Sequence, residues 1–137
     1  MFDKISNNLR ILEKSLDASL QRNEVIAQNI ANVDTPGYKK RTVKFEEYLS
    51  SALKGSSFKG FRTHSKHIPI GGDNIDSVDI KVEQDFKNLS MRLDGNNVDV
   101  EAEMAAMAKN SIQYNTLVQS LNGGYRRLKS VISEGRK

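Results

Sequence analysis

Apolar residues recur in steps of three and four at both ends of the chain, and this rhythm is absent from the middle. From the N-terminus the series is Phe2, Ile5, Leu9, Leu12, Leu16, Ser19, Asn23, Ile26, Ile30 and Val33, broken only by Ser19 and Asn23. Towards the C-terminus it is Val100, Met104, Met107, Ser111, Tyr114, Val118, Leu121, Tyr125, Leu128 and Ile132, broken only by Ser111. A heptad repeat keeps one apolar stripe of a helix turned to a partner. The pattern therefore predicts a mainly α chain, with long helices over 1–33 and 99–134 packed antiparallel as a coiled-coil pair.

Laid antiparallel, Phe2 faces Ile132, Leu9 faces Tyr125, Leu16 faces Val118, Ile30 faces Met104 and Val33 faces Val100. Asn23 then meets Ser111. Two polar side chains in one layer satisfy each other, whereas either alone against leucine strands a buried group at about 1–3 kcal/mol. This favours the register over its neighbours, although isolated polar positions in long helices are common.

Both ends of the intervening segment carry stop and start signals. Asp34-Thr35-Pro36-Gly37 places proline at the second and glycine at the third position of a type II turn, and Pro36 biases Thr35 away from helix. The first helix is thus expected to end near Asn32 or Val33. Asp94-Gly95-Asn96-Asn97 reads as a second turn, after which Asp99 can cap a helix that has Glu101 and Glu103 at its positive end. Between the turns, residues 34–98 form an irregular region. Phe45, Tyr48, Leu49, Ala52 and Leu53 predict a short helix, Lys54 to Lys66 a Gly, Ser and basic loop, and Val78, Ile80 and Val82 a strand that Ser90 to Leu93 could join as a β-hairpin.

Composition narrows the function. With 137 residues, 37% hydrophobic and 28% charged, the chain has a small supply of core, and its two stripes are thin for a self-sufficient domain. The expectation is an assembling subunit that buries further surface against neighbours. No cysteine is present, so disulfides and thiolate metal sites are excluded. Asp3, Lys4, Asn7 and Arg10 interrupt the first apolar series, against a cleaved signal peptide, and no apolar run reaches the ~18 residues of a membrane span. The net charge of +4 permits anionic partners without requiring them.

Asn29-Ile30-Ala31-Asn32-Val33-Asp34-Thr35-Pro36-Gly37-Tyr38 resembles the signature shared by the rod and hook proteins of the bacterial flagellum. The opening Met1-Phe2-Asp3, the stretch Asp94 to Met104, and Asn110 to Asn115 are similar to the flagellar basal body rod protein family, in particular its short proximal members. The resemblance covers both helices and implies a structural part of the rod, exported unfolded by the flagellar type III apparatus and stacked helically into the torque-carrying shaft. Its partners would be copies of itself, other rod proteins, the adaptor at the rod base and, in transit, the export machinery. The motif residues carried over are Asn29, Ala31, Asn32, Thr35, Pro36, Gly37 and Tyr38. Phe45 and Leu49 also fit the pattern associated with docking at the export gate, beside the plainer reading of one turn of a small buried helix.

Other chemistry is sparse. His64 and His67 with Asp73 and Asp76 lack a fourth-ligand pattern for a metal, and no nucleophile sits with a histidine and an orienting carboxylate, so neither cofactor, small-molecule substrate nor enzyme activity is expected. The basic clusters Lys39-Lys40-Arg41, Lys54 to Lys66 and Arg126-Arg127 with Lys129 carry the alternative, a basic helical protein associated with nucleic acid. No recognition helix or stacking platform accompanies them, which favours solvated faces and no nucleic-acid partner. Gly123-Gly124 within the last helix reads either as a bend or as a place of close approach.

Overall fold

The computed structural model describes residues 2–54, 64, 79–84 and 93–135. Its elements are α1 (Phe2–Ala31), β1 (Arg41–Lys44), α2 (Glu46–Lys54), β2 (Lys81–Gln84) and α3 (Val100–Glu134). The chain divides into two compact units, Met1–Val43 with Val82–Lys137, and Lys44–Lys81.

The first unit is built on α1 against α3. Their contacts run in opposite directions along the two helices: Leu9 lies against Gly124, Ser19 against Asn110 and Asn29 against Glu103. The pair is therefore antiparallel. On α1, Leu9, Ala18, Ser19, Val25, Ile26 and Asn29 are buried, and Leu12, Leu16, Asn23 and Ile30 are half-buried, as is Val33 in the turn beyond the helix. The side chain of Phe2 lies outside the described residues.

On α3 the inward row differs from the expected one by a rotation of one residue. Glu103 and Asn110 are buried, and Met107, Tyr114, Leu117, Leu121, Gly124 and Leu128 half-buried, continuing the same steps of four and three. Met107, Tyr114, Leu121 and Leu128 belong to both rows. Val100, Met104, Ser111, Tyr125 and Ile132, expected in the seam, are exposed, and Val118 is half-buried. Glu103 and Asn110 are tolerated inside because each completes several hydrogen bonds there, and Gly124 because Leu9 fills the space. Tyr125 instead donates its hydroxyl to the Glu13 carboxylate; that hydrogen bond, some desolvation and the nearby negative charge hold the phenol pKa above its ordinary value.

The polar layer also moves. Asn110, not Ser111, faces Asn23, donating to its Oδ1 at 2.7 Å and to the Ser19 carbonyl at 2.8 Å. The Asn110 Oδ1 accepts from the Ser19 hydroxyl at 3.0 Å and from Arg22 at 3.4 Å. Buried side-chain nitrogen and oxygen atoms of the described residues all have partners.

The pair opens near the chain termini. Ile5, placed in the core by its spacing, is 42% exposed there and borders an apolar groove of about 400 Å³ with Leu9, Leu12, Gly124, Leu128 and Val131. Gly123 and Gly124 differ in their surroundings: a Cβ on Gly123 would meet nothing within 4 Å, whereas one on Gly124 would lie 2.5 Å from Leu9 Cδ2. Gly123→Ala should therefore stabilise the chain by about 0.5–1 kcal/mol through helix propensity. Gly124→Ala should lose that gain or reverse it, because Leu9 has to move. Equal gains in urea midpoint for the two variants would show that the close approach is absent.

Val82 to Gln84 of β2 lie in the first unit with Arg41 to Val43 of β1, and the two strands form a two-stranded sheet. Ile80 precedes β2, and Leu93 lies in a turn, while Val78 and Ser90 to Arg92 lie outside the described residues. In the second unit α2 follows Phe45, which is 2% exposed, and the Lys81 ammonium sits 5.0 Å from the centre of the Tyr48 ring. The side chain of Leu53 and most of the loop from Lys54 to Lys66 fall outside the described residues.

Candidate functional site

The densest polar structure in the first unit is a clasp joining the end of α1 to the start of α3. Its first half is the turn after α1. The Tyr38 amide donates to the Thr35 carbonyl at 3.3 Å, and Gly37 has φ +73°. Left-handed backbone at the third turn position is what a Pro-Gly sequence supplies, since glycine has no Cβ to clash.

The second half is the turn before α3, where Gly95 has φ +81°. The two turns touch through backbone: the Gly37 amide donates to the Asp94 carbonyl at 2.9 Å, and a Cβ on Gly95 would sit 3.7 Å from Gly37 Cα. Lys39 reaches over to the Gly95 carbonyl, and the Lys40 amide donates to Asn97 Oδ1 at 2.7 Å.

Asn96 fastens the turn that follows the first helix. A helix leaves its last carbonyls without amide partners. Asn96, fully buried, directs its side-chain amide at the carbonyls of Asn32, Val33 and Thr35 at 2.8–3.0 Å, and its own Oδ1 accepts from the Val98 amide at 2.8 Å. The turn that follows α1 is thus held by a residue more than sixty positions away, while the carbonyls of Asn29 and Ile30 are met locally by the amides of Asn32 and Val33. On the other side Asp99 caps α3 locally, accepting from the amides of Glu101 and Ala102.

Asn29 and Glu103 form the centre. Asn29 donates to the Arg41 carbonyl and to Glu103 Oε2, both at 2.9 Å, and its Oδ1 accepts from the Arg41 amide at 3.0 Å and the Tyr38 hydroxyl at 3.2 Å. Both amide protons and both lone-pair directions of the side chain are used. It pairs with the backbone of Arg41 as a neighbouring strand would. Glu103 is 1% exposed, and its Oε1 lies 2.5 Å from Lys40 Nζ, so its charge has a cation as well as a buried donor.

Of the expected motif residues, Asn29, Asn32, Thr35, Gly37 and Tyr38 take part in these bonds, Asn32 also donating to the Gln28 carbonyl at 2.8 Å. Ala31 and Pro36 are exposed and contribute conformation. The roles of Asn96, Glu103 and Asn110 were not read from the sequence. For Glu103 and Asn110 a signal existed, since they stand seven apart in a row equal in spacing to the apolar one. Asn96 gave none.

The arrangement is mechanical in character. Among the described residues no three His, Asp or Glu side chains gather as a metal site. His64 is exposed, and His67, Asp73 and Asp76 lie outside the described residues. The first basic cluster is engaged internally through Lys39 and Lys40, which removes much of the basis for a nucleic-acid surface.

A family model described as "Flagella basal body rod protein" matches residues 9–39, from the buried Leu9 through the turn. The likeness is not confined to that stretch: the flagellar basal body rod protein FlgB of Bacillus subtilis (strain 168) is 34% identical over 131 residues, covering 96% of this chain and 97% of that protein. The chain belongs to the FlgB family of flagellar basal body rod proteins. FlgB of Yersinia ruckeri is 32% identical over 140 residues, covering 98% of this chain and all of that protein, and FlgB of Escherichia coli (strain K12) is 31% identical over 140 residues, with 98% and 99% covered. At that coverage the FlgB likeness takes in both halves of the clasp and the whole helix pair.

Proposed function

We propose that this chain is a structural subunit of the flagellar basal body rod, placed at its proximal end, delivered unfolded by the flagellar type III apparatus and stacked helically with its own copies and other rod proteins. The observation that carries this reading is the near full-length likeness to FlgB proteins of distant bacteria. The clasp suits a load-bearing part, because it ties the two long helices together by many directional bonds at one end. No catalytic role is assigned. Among the described residues no helix is long and apolar enough to cross a membrane.

Phe45 bears on delivery. It is buried, and the Leu49 amide bonds its carbonyl at 2.8 Å, so in the folded chain this pair forms one turn of helix. Docking of Phe45 and Leu49 at an export gate thus belongs to the unfolded chain. The test of the overall reading is removal of the gene from its motile host. Electron microscopy of basal bodies should then show no completed rod, hook or filament, and a plasmid copy should restore them. Normal rods in the deletion strain would overturn it.

A further inference from the structure

The apolar row that turned away from α1 remains a row. Val100, Met104, Ser111, Val118, Tyr125 and Ile132 run along a flank of α3, about 100° round the helix from the row of Glu103, Asn110, Leu117 and Gly124. Its apolar members are concentrated at the two ends: Val100 and Met104 are 39% and 56% exposed at the start, Tyr125 and Ile132 45% and 62% exposed at the finish. The two ends carry opposite charge. Exposed Asp99 and Glu101 accompany the first, and exposed Arg126 and Lys129 the second.

We propose that these two ends are complementary halves of one interface between copies of this chain, the Tyr125–Ile132 end of one copy seating on the Val100–Met104 start of the next. Arg126 and Lys129 then lie beside Asp99 and Glu101, and each apolar end is covered by the other. Both copies point the same way, so the interface is heterologous and repeats rather than closing on itself. A face-to-face antiparallel dimer would match the same charges, but full overlap would also cover exposed Ser111 and Asn115 in the middle of α3, at a cost in desolvation. Contact limited to the ends leaves them in water. The proposal rests on the rod reading and names which surface of the subunit carries it from copy to copy.

The absence of native cysteine makes the test clean. In a chain carrying both Met104→Cys and Ile132→Cys, the two thiols of one copy lie about 42 Å apart along the helix and cannot bridge internally. Mild oxidation of basal bodies built with this chain as sole copy, and of the purified chain at millimolar concentration, should yield a ladder of dimers, trimers and higher species that collapses on reduction. Each single variant should remain monomeric. Dimers without higher species from the double variant would establish the antiparallel face-to-face pair and overturn the proposal, and dimers from either single variant would overturn it by bringing like ends together. So would an absence of ladder in both preparations. Because the deletion strain tests the rod reading separately, missing rods there with no ladder here would reject this interface alone.

Discussion

Glu103→Leu should destabilise the purified chain by about 3 kcal/mol, while Glu101→Leu two residues away should change it by less than about 0.5 kcal/mol. Both substitutions replace an acid in the first turn of α3 with the same apolar residue, so helix propensity and the dipole largely cancel. The difference lies in surroundings: Glu103 is buried between Asn29 and Lys40, and Glu101 is exposed. Without Glu103 one proton of the fully buried Asn29 amide loses its acceptor, and Lys40 must turn its ammonium to water. Glu103→Gln keeps an acceptor for Asn29 and loses the charge pair, so it should fall between the two. Adding Lys40→Met to Glu103→Leu should recover part of the loss, because the unpaired cation is then gone. Urea melts with unchanged slope measure the series. A Glu103→Leu midpoint equal to that of Glu101→Leu would show that the clasp contributes nothing to stability.

Gly37→Val should abolish swimming in a motile host that has this chain as its sole copy, with the variant still made and exported but no rod built. A Cβ at position 37 would meet nothing within 4 Å, so crowding is not the cause. The cost comes from φ +73°, which a β-branched residue adopts only with strain of roughly 1–3 kcal/mol. Relief of that strain removes the Gly37 amide from Asp94 and lifts the turn carrying Tyr38 and Lys40 away from Asn29 and Glu103. Gly37→Asn should swim partially, since asparagine tolerates the left-handed region better than valine. Motility agar and imaging of basal bodies read the series. Normal swimming of Gly37→Val would show that this backbone geometry is dispensable.

What could be read in advance depended on how local its cause is. The Pro36-Gly37 turn and the Asp99 cap involve neighbours in sequence, and their residue types are specific to that geometry. The α1 stripe was legible because its inward positions are mostly apolar. On α3 two rows share Met107, Tyr114, Leu121 and Leu128, and the more apolar one lies outside, because three of the four unshared inward positions hold Glu103, Asn110 and Gly124. A count of hydrophobic matches chooses the wrong row whenever buried polar groups are fully bonded. Asn96 was illegible for a further reason: its acceptors belong to a turn that the fold alone brings near. The pairing of β2 with β1 escaped similarly, since four-residue strands carry too little alternation to announce a partner.

The hold of Asn96 on the turn after α1 bears on the order in which the chain can fold. Residues 1–31 leave the ribosome, or any narrow passage taken N-terminus first, long before position 96 follows, and the Glu103 that engages Asn29 comes 74 positions after it. Until then the turn after α1 lacks the Asn96 amide, and the inward polar groups of the helix have only water. Closure across so long a loop is slow compared with helix formation, because the entropy of bringing distant segments together must be lost before the contacts form. The helix pair therefore forms late and as one event, when the C-terminal third of the chain has arrived. A partly synthesised chain therefore stays pliable, and the bonds that stiffen the finished subunit close only when its C-terminal third is present.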